Sequence, residues 1–253
     1  MSDIALATVD LSKSFGALNA TRAVNFALPV GARHALIGPN GAGKTTLINL
    51  LTGLLAPSAG RVLLAGQDVT RLRPDLRVKR GLTRTFQINT LFPELTALEA
   101  VTLAVCERIG VAGDWRRPVQ KYRDAVAEAH DILSSLNMAQ WCEQRTRQLA
   151  YGRQRMLEIA LALATRPKVL LLDEPAAGVP SGESEELFQV ISALPGDIAI
   201  LFIEHDMHLV FRFASRIIVM VSGQILLEGT PAEIAADRRV REVYLGNAAI
   251  RHG

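Results

Sequence analysis

The apolar positions of this chain fall into two textures. Short runs at strand spacing come first: Ile4–Val9 and Val24–Leu28 read as strands on either side of a turn region containing Gly16. Ala35–Ile37 reads as a third strand that runs into a glycine-rich segment, after which Thr45–Leu55 is apolar at helical spacing. Much later, Val169–Leu172 and Ala199–Ile203 are continuous apolar runs, the mark of strands covered on both faces of a parallel sheet. Between them, Glu183–Leu194 carries Leu187, Val190, Ile191 and Leu194 on one face of an amphipathic helix. Ile217–Val221 and Gln224–Leu227 flank Ser222-Gly223, which predicts a hairpin.

The middle of the chain is different, and strand signals stop from Thr96 to about Ala164. Thr96-x-x-Glu99 is a capping box, predicting a helix with Leu98, Val101, Val105 and Ile109 on one side. Gly110–Pro118 breaks it. Tyr122, Val126, Ala129, Leu133 and Leu136 then mark a second helix. The expectation is an α/β core, residues 1–89 and 158–253, interrupted by a mainly helical insert at 90–157. No internal repeat or heptad array is visible.

Composition narrows the class. With 253 residues, 49% hydrophobic and 21% charged, the chain can bury a sizeable core, and disordered and fibrous classes are excluded. A net charge of +3 (28 basic against 25 acidic residues) gives no reason to expect a nucleic-acid partner. Cys106 and Cys142 form no CxxC pair, so neither a disulfide scaffold nor a zinc ribbon is expected. No secretory leader is evident, and the longest apolar runs fall far short of the ~20 residues of a membrane-spanning helix. A soluble, intracellular chain is therefore expected.

The glycine-rich segment carries the chemistry. Gly38-Pro39-Asn40-Gly41-Ala42-Gly43-Lys44-Thr45 fits G-x-x-x-x-G-K-[ST] and lies between a strand and a helix. Glycines let backbone N–H groups approach phosphate oxygens, Lys44 brings a positive charge, and the Thr45 hydroxyl can ligate Mg²⁺. The helix that follows points its positive end at the same anion. Downstream, Val169-Leu170-Leu171-Leu172-Asp173-Glu174 is an apolar strand ending in two carboxylates. Asp173 can hold the metal directly or through water, and Glu174 is placed to orient or deprotonate an attacking water.

Leu149-Ala150-Tyr151-Gly152-Arg153-Gln154-Arg155, between these two motifs, resembles the signature of ABC-transporter ATPase subunits. Over essentially its whole length the chain is identified as a member of that family. The resemblance implies an α/β P-loop NTPase (RecA-like) core, an N-terminal antiparallel β subdomain and an inserted α-helical subdomain. It implies ATP and Mg²⁺ as ligands, with Phe15 stacking on adenine and Gly38–Thr45 and Thr46 around the phosphates. Gln87 would contact metal or water, and His205 would reach the γ-phosphate. Ala150, Tyr151, Gly152 and Gln154 would face a nucleotide held by a second ATPase subunit, identical or paralogous. Other implied partners are integral membrane permeases and, indirectly, a solute-binding protein, at the cytoplasmic face of the inner membrane.

Within the family, Asp173–Gly178, Glu204-His205-Asp206-Met207 and Val243-Tyr244-Leu245-Gly246 most resemble the ATP-binding subunits of branched-chain amino acid importers. Subunits for urea, amides or other small organic solutes carry nearly the same motifs; a lipid-export ATPase and, more distantly, a soluble non-transport ABC ATPase are the alternative readings. Two positions depart from the common pattern: Ala150 stands where serine is usual, and Pro180 where aspartate or asparagine is usual. Proline offers neither a side-chain acceptor nor a backbone donor there, so this loop is expected to transmit between subunits differently and to slow one of the ATP sites. Arg71, Arg73, Arg77, Lys79, Arg80 and Arg84 form a basic cluster, read as a solvated face or as a surface for acidic headgroups or a permease loop. Glu183, Glu185 and Glu186 read as charges compensating a helix dipole.

Overall fold

The computed structural model describes residues 3–85, 91–113 and 121–249, the last six as backbone. Two long strands, β1 (Ile4–Phe15) and β2 (Leu18–Pro29), form an antiparallel hairpin closed at Gly16, whose φ of 58° suits glycine. They outrun the runs read from the sequence because the pairing continues through irregular register near Asp10 and Ala23, both at positive φ. With β4 (Ala59–Leu64) and β5 (Gln67–Asp68), which come later in the chain, they make a four-stranded sheet in the order β2-β1-β4-β5.

A second, six-stranded sheet runs β10-β9-β3-β8-β7-β6. Its strands are β3 (Arg33–Ile37), β6 (Leu82–Arg84), β7 (Val169–Asp173), β8 (Ala199–Ile203), β9 (Arg216–Val221) and β10 (Gln224–Gly229). All pair in parallel except the β9–β10 hairpin. Successive residues of β7 serve opposite faces. Val169 and Leu171 join the core that contains helix α1 (Lys44–Thr52) and the antiparallel sheet. Leu170 and Leu172 join the core beneath the other helices. Burial on both faces explains why β7 as far as Leu172 and the whole of β8 are apolar.

A short helix, α2 (Pro74–Lys79), leads into β6. The helical region follows, with α3 (Ala97–Arg108), α4 (Arg123–Ser135) and α5 (Tyr151–Leu163). The capping box forms as read: the Thr96 side chain accepts from Glu99 N–H, and the Glu99 carboxylate accepts from Thr96 N–H. The buried face of α3 is Ala97, Ala100, Val101, Val105 and Cys106, whereas Ile109 lies past the last turn and is exposed. Helix α5 runs unbroken from the signature toward the core, so residues 157 and 158 sit within one helix. Helices α6 (Ser181–Ser192), α7 (Met207–Phe213), α8 (Pro231–Ala236) and α9 (Arg238–Ala249) complete the chain. No helix among the described residues is long and apolar enough to cross a membrane.

Candidate functional site

The phosphate loop joins β3 to α1 and is wedged between two other elements. A Cβ at Gly38 would come within 2.1 Å of the Met220 carbonyl oxygen, and one at Gly43 within 2.4 Å of Ala20 O. Gly43 also has a φ of 99°, so its place at the start of α1 requires glycine twice over. The turn of the hairpin that carries Met220 also holds the loop, with Gly223 N–H donating to Ala42 O at 2.9 Å. Lys44 is buried and donates to Gly38 O at 2.6 Å and Pro39 O at 3.1 Å. Burial pulls its ammonium below the ordinary lysine range, while the charges of Glu174 and Asp173 act in the opposite direction.

Phe15, Asn40–Thr46, Asp173, Glu174 and His205 line one cleft of about 690 Å³, within the usual size of a small-molecule site. Phe15 is exposed at the end of β1 and does not pack beneath the sheet, with Lys13 Nζ 5.1 Å from its ring centre. Thr45 is exposed on the first turn of α1. Asp173 ends β7, where its Oδ2 accepts from Arg84 Nη2 at 2.5 Å, while Arg84 Nη1 donates to Asn49 Oδ1 on α1. Glu174 follows at a φ of 50°, with its N–H donating to Ile203 O. His205 Nε2 lies 2.9 Å from Glu174 Oε1.

The signature segment lies outside this cleft. Ala150 precedes α5 without a side-chain capping bond. Tyr151 Oη donates to Ala177 O at 3.1 Å, and Gln154 Nε2 to Leu149 O at 2.9 Å. A Cβ at Gly152 would come within 2.3 Å of Glu183 Oε2. Both polar side chains are thus engaged within their own chain, leaving the first N–H groups of α5 as the donors its open end presents. Pro180 precedes α6 and its carbonyl accepts from Ser184 N–H and Oγ. Gln87 lies outside the described residues, as do the side chains of Tyr244 and Leu245.

The basic cluster divides on inspection. Arg71, Arg73, Lys79 and Arg80 are exposed. Arg77 is instead buried, donating to Leu50 O, Leu51 O, Leu72 O and Thr70 O, so it closes the C-terminal end of α1. Arg84 belongs to the cleft's supporting shell through Asp173. Neither role could be separated from a charged surface by spacing alone. The acidic trio divides too: Glu186 pairs with Arg153, and Glu185 with Arg212. Sequence reasoning also missed Leu18, Asn19, Ala20 and Arg22 of β2 as cleft lining; only the placement of Phe15 at the same hairpin hinted at them.

Residues 21–177 match the family described as ABC transporter, and residues 224–250 match the branched-chain amino acid ATP-binding cassette transporter family. The chain is 37% identical to the high-affinity branched-chain amino acid transport ATP-binding protein BraF of Pseudomonas aeruginosa, covering 98% of this chain and 100% of that protein. Its fold is similar to the ADP conformation of MJ1267, an ATP-binding cassette of an ABC transporter, with a TM-score of 0.85, 32% identity and coverage of 96% and 99%. It is also similar to the dimeric structure of MJ0796, a bacterial ABC transporter cassette, with a TM-score of 0.74, 25% identity and coverage of 89% and 98%.

Proposed function

We propose a transport role from one premise: this chain belongs to the ABC transporter family of ATP-binding cassettes. In this reading it is the ATP-binding and hydrolysing subunit of an importer for branched-chain amino acids or a related small organic solute. Membrane permeases carry the solute, a solute-binding protein delivers it, and the chain sits peripherally at the cytoplasmic face of the inner membrane. One observation carries the reading: the cleft gathers Lys44, Thr45, Asp173, Glu174 and His205 on one chain, while the signature segment stands apart from it. Half of a composite site on each chain calls for a second ATPase subunit, the same or paralogous.

The residues divide the work. Phe15 offers a ring face to adenine, and the loop N–H groups with Lys44 take the β- and γ-phosphates. Thr45 Oγ1 and the Asp173 carboxylate are hard oxygen donors lining one cleft, a set that fits Mg²⁺, with Gln87 as a further ligand. The ion would supply positive charge beside the phosphate oxygens. Glu174 accepts the proton of the attacking water as its oxygen bonds to the γ-phosphorus and the bond to the ADP oxygen breaks. With its proton on Nε2, His205 donates to Glu174 in the resting geometry and is placed to turn toward the γ-phosphate. Ala150, Tyr151, Gly152 and Gln154 would cover the nucleotide of the neighbouring subunit, chiefly through the backbone at the start of α5. Pro180 makes the loop after Glu174 a different link between subunits from one carrying aspartate.

The test is uptake of labelled leucine, isoleucine and valine by cells whose only copy of this chain carries Glu174→Gln. Uptake is expected to be lost for at least one of the three, with the permeases still present. Wild-type uptake of all three would overturn the branched-chain reading.

A further inference from the structure

Glu204 ends in one of the most enclosed carboxylates of the molecule, at 5% exposure, just beyond β8 and next to His205. One oxygen accepts the Ala176 N–H at 2.8 Å, and the other accepts the His205 N–H at 3.1 Å. Ala176 lies two residues past Glu174 on the loop that follows β7. That loop is also tied to the end of β8 by the bond from Glu174 N–H to Ile203 O at 3.0 Å. Glu204 therefore holds, with one side chain, the two backbone segments that present Glu174 and His205. Burial raises its pKa, and the N–H donors of Ala176, His205 and Asp206 oppose that shift. An enclosed carboxylate is costly unless its hydrogen bonds are made, and here both oxygens are engaged by backbone.

We propose that Glu204 is a positioning residue for ATP hydrolysis, clamping the Pro175–Gly178 loop to His205 and so fixing the 2.9 Å approach of His205 Nε2 to Glu174 Oε1. This rests on the reading of Glu174 and His205 as the hydrolytic pair. Glu204 does not line the cleft, and it acts only through these neighbours. Its removal should therefore leave nucleotide binding alone and disturb turnover.

The experiment compares the full chain with Glu204→Gln and Glu204→Asp. The amide keeps one acceptor but turns an NH₂ group toward the second N–H, forcing the two segments apart. A displacement on that scale lowers kcat by about 10²-fold, with Mg-ATP affinity unchanged; the backbone N–H left without its acceptor lowers the thermal midpoint, which stays above the assay temperature. Glu204→Asp, which keeps both acceptor oxygens, recovers part of the rate. In long single-turnover incubations, Glu204→Gln added to His205→Ala should cause no further loss, because the two changes break one unit. Wild-type kcat in Glu204→Gln would overturn the proposal. So would losses that multiply with His205→Ala, or a drop in affinity and thermal midpoint that accounts for the whole effect. A wild-type chain without turnover would fail the hydrolytic reading itself and take this proposal with it, an outcome distinct from the others.

Discussion

Helices α1 and α5 both begin at a nucleotide motif, yet their ends are built in opposite ways. The start of α1 is enclosed: Gly38 and Gly43 press against neighbouring backbone, and Lys44 is buried among loop carbonyls and two carboxylates. Its far end is closed by the Arg77 guanidinium. Neither start has a side-chain cap, but at α5 the side chains of Tyr151 and Gln154 turn back onto Ala177 and Leu149. A helix start that converges with lysine and carboxylates can hold a triphosphate alone. One that offers mainly backbone N–H groups needs a ligand brought to it. In the proposed reading, that difference is the reason a single chain would carry both motifs and still need a partner to complete a site.

Glu174→Gln breaks the comparison hardest on the α1 side. Removing a general base lowers turnover by about 10²–10⁴-fold, while a fluorescent nucleotide titration should show unchanged affinity. Retained turnover would remove Glu174 as the proton acceptor. Arg77→Ala comes next, and it acts on the fold. Loss of a buried cation that bonds four carbonyls should cost about 3 kcal/mol or more, read as a lower denaturant midpoint. Arg73→Ala, from the same basic stretch but paired only with exposed Asp75, should stay within about 0.5 kcal/mol. Equal effects would contradict the division of that cluster. Tyr151→Phe, on the α5 side, is the mildest test with a measurable signal. It removes one hydrogen bond to Ala177 O, worth about 0.5–1.5 kcal/mol of stability, and should leave the nucleotide affinity of the unpaired chain untouched. A weakened affinity in the unpaired chain would place Tyr151 in the chain's own cleft.

Much of this was legible in the sequence for identifiable reasons. The strands β7 and β8 are apolar on both faces, so their runs are unmistakable. The phosphate loop has a fixed spacing because Gly38 and Gly43 are forced by close backbone contacts. The β1–β2 hairpin was only half legible, since its pairing crosses bulges at Asp10 and Ala23 that interrupt alternation. Arg77 and Arg84 were invisible as individuals. Each is one arginine among several, and only the fold brings one to the end of α1 and the other to Asp173. Glu204 is adjacent to His205 in the sequence, but the positioning role proposed for it depends on Ala176, 28 positions away in the chain. The face of α3 was misjudged at Ile109 because the helix ends before that turn is completed.

Sedimentation velocity of the Glu174→Gln chain, with and without Mg-ATP, tests the shared-site account most directly. The account predicts a 27.5 kDa species without nucleotide that pairs to twice that mass when Mg-ATP is added, alone or mixed with a paralogous cassette. A single monomeric species under every one of these conditions would contradict it.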